Sequence, residues 1–371
     1  MILIIRKIKL ELLWLIKFIR YYLKTKNRAI YIGCSGNKNL GDEIIFDSIK
    51  EFFKDELFLV RFPHVNKNLG SYFRSKIKNP DFIILGGGTL IRKGYNQGYL
   101  KNLNETINKF PDSKLLVIGP GVSDPIFSKS INFPTNIEGW TKTLITSLYL
   151  SVRGPRSLAT LNKWGLENVV EFKDPALSLF RSNKIIKKPR SKKIAINFAN
   201  IGERIYGGNS KKLKTIYFDF VELLIINKWE VYLYPTTYYD LDYMLNDIGL
   251  SSLKGIEKFH SYNNINLSLN FLESVDLYVG ERLHGVLFSA CVSTPFFGLA
   301  YQPKTLDFLD SINLTEFCEK VDRIELFSLF DKINEIYKDK ISVQNLIFNN
   351  MKLATTIQSR EIEKIKKILS L

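Results

Sequence analysis

Val279-Gly280-Glu281-Arg282-Leu283-His284-Gly285 sets an acid, an arginine and a histidine within four residues. Apolar runs lie on both sides, so the segment reads as a corner between a strand and a helix. At such a corner an arginine and free backbone N–H groups can hold an anion, and a histidine can move a proton. Against this, only three histidines exist, at 64, 260 and 284, and an isolated histidine more often serves packing. Tyr301-Gln302-Pro303-Lys304 follows the next expected strand and can add the Lys304 ammonium to the same rim.

Three further segments have comparable potential. Gly33-Cys34-Ser35-Gly36-Asn37-Lys38-Asn39-Leu40-Gly41-Asp42-Glu43 combines glycines for a tight turn with an acid at the start of a helix. Asp42 suits either of two roles: capping that helix, or orienting and deprotonating a sugar hydroxyl. Leu85-Gly86-Gly87-Gly88-Thr89-Leu90 lets a ligand, or simply another stretch of backbone, pass close by. In Ser151-Val152-Arg153-Gly154-Pro155-Arg156-Ser157 an arginine can grip a carboxylate or phosphate in a two-pronged fork, or pair with a surface acid. Asp240-Leu241-Asp242 reads as a solvated helix face. The dinucleotide and phosphate-loop fingerprints, the G-x-S-x-G elbow, C-x-x-C pairs and H-E-x-x-H are all absent from the sequence.

Short apolar runs alternating with amphipathic stretches must position these segments, a pattern that predicts parallel α/β architecture. Strands are expected at 29–33, 57–60, 82–85, 115–118, 148–152 and 169–172, then at 194–198, 230–234, 276–279 and 295–299. Helices are expected at 42–53, 155–164, 213–227, 267–273 and 283–291. Residues 184–193, with six basic residues and a proline, read as a linker. The expected organisation is a basic amphipathic arm at 1–28, Rossmann-like domains at 29–183 and 194–340 with a cleft between them, and a helix at 341–371. Ligands in such folds lie at the carboxyl ends of the strands.

Two domains also suit a chain of 371 residues, and 45% hydrophobic with 24% charged residues excludes a largely disordered protein. The net charge of +16 calls for an anionic partner: nucleic acid, an acidic membrane or phosphorylated substrates. No nucleic-acid module is recognisable. Three scattered cysteines indicate neither a disulfide framework nor a zinc site, and so a reducing compartment. The arm holds eight basic residues against Glu11 alone, interleaved with Leu, Ile, Trp and Tyr. Its apolar runs fall short of the ~20 residues needed to span a bilayer, and no signal-peptide pattern is present. It suits a helix lying on an anionic leaflet, or one packed on the protein body.

Taken in order, GNKNLGDEIIFDSI, ILGGGTLI, SVRGPRSLATLNKWG with KDPAL, and VGERLHGVLFSACVSTPFFGLAYQPK resemble the polysaccharide pyruvyltransferase family, over residues 33–304. The resemblance implies a two-domain fold of the GT-B type. It also implies transfer of the enolpyruvyl unit of phosphoenolpyruvate onto a sugar, giving a cyclic pyruvate ketal. Carried over by position, Arg282, Leu283 and His284 form the donor corner and Arg153 is also on the donor; Lys304 is expected to bind the donor from its place on the same rim. Many relatives have an acid where this chain has Gly154, which leaves Arg156 as a second candidate for the donor arginine. His284 is the expected general acid, and Asp42 or Glu281 the base. Asn37, Gly41, Gly87, Gly88 and Thr89 are expected on the acceptor side. No metal and no cofactor are expected, since phosphoenolpyruvate is a substrate. The implied acceptor is a lipid-linked or nucleotide-linked saccharide of a bacterial capsule or exopolysaccharide, handled on the inner face of the membrane, with no nucleic-acid partner. The competing readings are a GT-B glycosyltransferase using a nucleotide sugar and a basic, non-enzymatic adaptor.

Overall fold

The computed structural model describes residues 27–34, 39–61, 80–93, 98–183 and 192–370, together with Ile16. Nearly all of the basic arm, most of the expected linker and Asn37 lie outside the described residues. The first half contains β1 (Asn27–Ile32), β2 (Leu57–Arg61), β3 (Phe82–Leu85), β4 (Gly88–Ile91), β5 (Lys114–Val117), β6 (Pro120–Val122), β7 (Tyr149–Val152) and β8 (Val170–Glu171). Its helices are α1 (Leu40–Phe52), α2 (Tyr99–Lys109), α3 (Pro125–Ser130), α4 (Ile137–Leu144) and α5 (Pro155–Lys163). The main sheet is parallel, in the order β2-β1-β3-β5-β7-β8.

Two short strands fall where the sequence reads as glycine turns. Gly88 and Gly119 adopt φ of +92° and +65°, conformations open to glycine, and the chain then re-extends. β4 and β6 thereby pair in parallel as a small separate sheet. A run of three or four residues is too short to show the period of two that marks a strand.

The second half contains β9 (Lys193–Asn197), β10 (Glu230–Leu233), β11 (Ile256–Lys258), β12 (Leu277–Gly280), β13 (Phe296–Ala300) and β14 (Cys318–Lys320). Helices α6 (Ser210–Ile226), α7 (Tyr238–Asp242), α8 (Ile265–Ser274), α9 (Leu283–Cys291), α10 (Pro303–Ser311), α11 (Leu326–Lys338) and α12 (Lys340–Leu369) accompany them. Its parallel sheet runs β11-β10-β9-β12-β13-β14, the doubly wound order of dinucleotide-binding domains. Strand order reverses beside β1 and β3 in one sheet, and beside β9 and β12 in the other. The motif-bearing corners leave these strand ends.

Alternation along the strands separates the cores. Ala29, Tyr31, Phe82 and Ile84 face α1 and join a core that continues through Ala176 and Leu177 into the whole second half. Ile30, Ile32, Ile83 and Leu85 face the opposite way, into a core around Trp140. Helix α12 packs back on the first half: Gln358 Nε2 donates to Asp174 O at 2.8 Å, and Tyr149 Oη donates to Glu361 Oε2 at 2.9 Å. No helix among the described residues is long and apolar enough to cross a membrane.

Candidate active site between the two halves

On the first half, β1 ends at Ile32 and the chain re-enters helix at Leu40. Asn39, rather than Asp42, caps α1, its side chain accepting from Gly41 N at 3.1 Å. Asp42 therefore falls in the first turn, half-buried and free of capping duty. Burial pushes its carboxyl up to about 6; Glu43 adds to the rise, while Lys304, Arg282 and Arg92 oppose it. Lys304 and Arg282 belong to the other half, so Asp42 feels charges from across the seam. Nearby, Cys34 Sγ and Tyr99 Oη share a hydrogen bond of 2.7 Å, and burial raises the thiol to about 11. Gly88 brings its backbone near Cys34, while the buried Thr89 hydroxyl has no hydrogen-bond partner among the described residues. Gly87 lies against Ile45 and Pro175, where a side chain would not fit.

On the second half, β12 delivers Glu281, Arg282, Leu283 and His284 to the start of α9. Glu281 is buried, accepting from Ala199 N at 2.6 Å and Tyr217 Oη at 2.8 Å; burial raises its carboxyl to about 7. Both of its oxygens are thus committed to the framework. Arg282 precedes α9, and its Nε and Nη2 donate to Asp240 Oδ1 at 3.1 and 2.6 Å. Leu283 is buried as the first residue of α9.

The His284 ring reaches across the seam and lies on Gly41, so closely that a methyl group there would overlap it. Its Nε2 is buried without a hydrogen-bond partner among the described residues. Burial, then Lys304, Arg153 and Arg282, push its pKa down to about 3, so the imidazole is neutral at physiological pH. Lys304 stands in the first turn of α10 with its ammonium 4.8 Å from the Tyr301 ring centre.

The two candidate donor arginines differ sharply in setting. Arg153 is 2% exposed and lies between Asp174 and Asp307, at 3.8 and 3.7 Å. Asp307 comes from α10, and its Oδ1 also accepts from the Arg156 and Ser157 backbone N–H groups at 3.0 and 3.1 Å, capping α5 from the other half. Gly154 has no room for a Cβ because the Asp307 backbone and carboxylate occupy that space. Arg156 turns outward to Asp310.

The structure thus gathers Gly41, Asp42, Arg153, Arg282, His284 and Lys304 at one seam, with Gly87, Gly88 and Thr89 on the loop at the end of β3. Arg156 and Glu281 face other partners. The reading of Asp240 as a solvated helix face is corrected: it is fully buried and ion-paired with Arg282, whereas Asp242 is exposed. Asp307 and Arg92 went unrecognised in the sequence, Arg92 although it directly follows the apolar Leu90-Ile91. Among the described residues no three His, Cys, Asp or Glu side chains converge as metal ligands. Cations surrounding a neutral imidazole, with a carboxylate of raised pKa nearby, suit an anionic substrate whose reaction requires proton transfer.

This architecture is that of GT-B glycosyltransferases and epimerases. S. aureus MnaA, solved with UDP, superposes with a TM-score of 0.59 at 14% identity, over 94% of this chain and 98% of that one. A Listeria monocytogenes protein assigned as a UDP-N-acetylglucosamine 2-epimerase gives 0.57 at 11% identity, over 88% and 91%. The wall teichoic acid polymerase TagF gives 0.51 at 13% identity, over 96% and 94%. No curated protein sequence matches the chain. The sequence profile of polysaccharide pyruvyl transferases matches residues 39–303, and the protein belongs to that family.

Proposed function

We propose that the protein transfers the enolpyruvyl unit of phosphoenolpyruvate to a saccharide and closes it as a pyruvate ketal. The observation that carries this reading is His284, neutral, flanked by Arg153, Arg282 and Lys304, and laid against Gly41 beside Asp42. A carboxylate and a phosphate on one small donor match Arg282, Lys304 and the start of α9, with Arg153 adding its charge from between Asp174 and Asp307. Burial and then the cations keep His284 unprotonated, and the donor's negative charge offsets the cations' part, so its binding favours a proton on the ring. His284 then protonates the methylene carbon, leaving an oxocarbenium-like centre at C2. One sugar hydroxyl attacks C2 as Asp42 takes its proton. Phosphate leaves, and a second hydroxyl closes the ketal, its proton departing with phosphate. A positioned acid and base each contribute about 10²–10⁴-fold. Of the two donor-arginine candidates, Arg153 is the one whose charge reaches His284.

The acceptor in this reading is a lipid-linked or nucleotide-linked precursor, met at the inner membrane surface through the basic arm. The test is incubation with phosphoenolpyruvate and a panel of such saccharides, following phosphate release and the pyruvyl mass increment. Consumption of a nucleotide sugar with no pyruvyl product would replace this reading with glycosyl transfer.

A further inference from the structure

Asp240 is the most heavily hydrogen-bonded carboxylate at the seam. Its Oδ2 accepts from Thr236 N and Oγ1, both at 3.0 Å, from Thr237 N at 3.2 Å and from Asn197 Nδ2 at 3.3 Å. Among the described residues its Oδ1 is left to Arg282, which donates from Nε and Nη2. Asn197 bridges the pair, since its Oδ1 accepts from Arg282 N at 3.3 Å. The capping box between Thr237 and Asp240 fixes the first turn of α7 and with it the carboxylate.

A guanidinium has five N–H groups, of which Asp240 takes two and leaves three. The Arg282 side chain remains 21% exposed while Asp240 is fully enclosed. Arg153, by contrast, is enclosed by its own two carboxylates. Asp240 therefore holds Arg282 through two N–H groups and leaves three free of it, so the side chain's rotamer entropy is lost on folding rather than at the moment of binding.

We infer that Asp240 is a positioning residue for Arg282, presenting that guanidinium to an anionic group of the donor; the inference rests on the phosphoenolpyruvate reading above. Phosphoenolpyruvate binding is measured by calorimetry on the full chain for wild type, Asp240→Asn, Arg282→Ala and the double variant. Asp240→Asn keeps the shape of the side chain and removes its charge, and it weakens binding by about 10–100-fold. In the Arg282→Ala background the same change costs less than about 3-fold, because the two residues act as one unit. Losses that multiply, or an Asp240→Asn affinity within about 2-fold of wild type, overturn the assignment. If Asp240→Asn does not fold, Thr236→Val removes one support of the carboxylate. It weakens binding by about 3-fold with Arg282 present and leaves it unchanged in Arg282→Ala; equal effects in both backgrounds refute the role. A folded wild type that binds no phosphoenolpyruvate overturns the donor reading itself, and is distinguished from failure at Asp240 alone.

Discussion

The His284 ring covers the backbone of Gly41, joining the first turn of α9 in one half to the first turn of α1 in the other. Nothing larger than a hydrogen fits at Gly41 while the ring stays in place. The acid candidate and the helical turn carrying the base candidate are therefore in contact only because residue 41 has no side chain.

Gly41→Ala forces the ring aside or the halves apart. Overpacking of this kind costs about 1–3 kcal/mol, and displacement of His284 should lower turnover by at least about 10-fold. The control is the double variant Gly41→Ala/His284→Ala, in which the ring is gone. Its melting temperature should recover relative to Gly41→Ala alone; no recovery would show that the contact is not the cause.

Protonation provides the second prediction. His284 is pushed down to about 3 by burial and by Lys304, Arg153 and Arg282. An anionic donor counters those cations, so the pKa is higher in the complex than in the free protein. Between the two values binding takes up a proton, and affinity must strengthen as pH falls through that window. Calorimetry in two buffers of different ionisation enthalpy reads the uptake directly. His284→Gln should remove the imidazole's share of the uptake and His284→Gln/Asp42→Asn the rest, since Asp42 faces the same Lys304 and Arg282, whereas wild-type enthalpies identical in both buffers would argue against proton loading on binding.

Much of this site is visible in the sequence because its parts are local. Gly280 to Gly285 carries its own strand end, anion-binding groups and histidine, and the glycines after β1 and β3 announce close approach. What is hidden is pairing at long range. Asp240 draws its partners from Asn197, Thr236 and Arg282, and Asp307 caps a helix about 150 residues earlier in the chain. With neither partner known, an acid in a short polar helix resembles a solvated one. Asp42 illustrates the same limit in a milder form. It has the right chemistry for an N-cap, yet Asn39 takes that position three residues before it.

The arginines should separate by assay. Removing Arg282 deletes a charge-assisted contact worth about 2–4 kcal/mol of donor or transition-state binding, and because it also leaves the buried Asp240 without its cation, it lowers donor affinity and stability together. Arg153→Ala instead leaves Asp174 and Asp307 buried without their cation, so its first effect is a stability loss of about 3–5 kcal/mol. Arg156 is 45% exposed against Asp310, and its replacement should alter stability by less than about 1 kcal/mol and leave donor affinity intact. Melting temperature and phosphoenolpyruvate affinity measured on all three give three distinct signatures. A large loss of donor affinity in Arg156→Ala would reverse the order of the two candidates.

The last prediction concerns the segment before β1. Residues 1–26 hold seven basic residues against Glu11, Arg28 of the expected arm lying in β1, and their apolar residues are never continuous enough to cross a bilayer. Each Lys or Arg near an anionic leaflet is worth about 1 kcal/mol, so together they would give reversible attachment that weakens with salt. An alternative role is to cover an apolar surface of the first half. Vesicle flotation of the full chain and of a form beginning at Lys26 distinguishes these, using phosphatidylserine-containing and neutral vesicles at low and high salt. The anchor predicts that only the full chain floats, only with anionic vesicles, and less at high salt. Equal flotation of both forms excludes it, and an aggregating truncated form with no flotation of the full chain assigns the arm to packing.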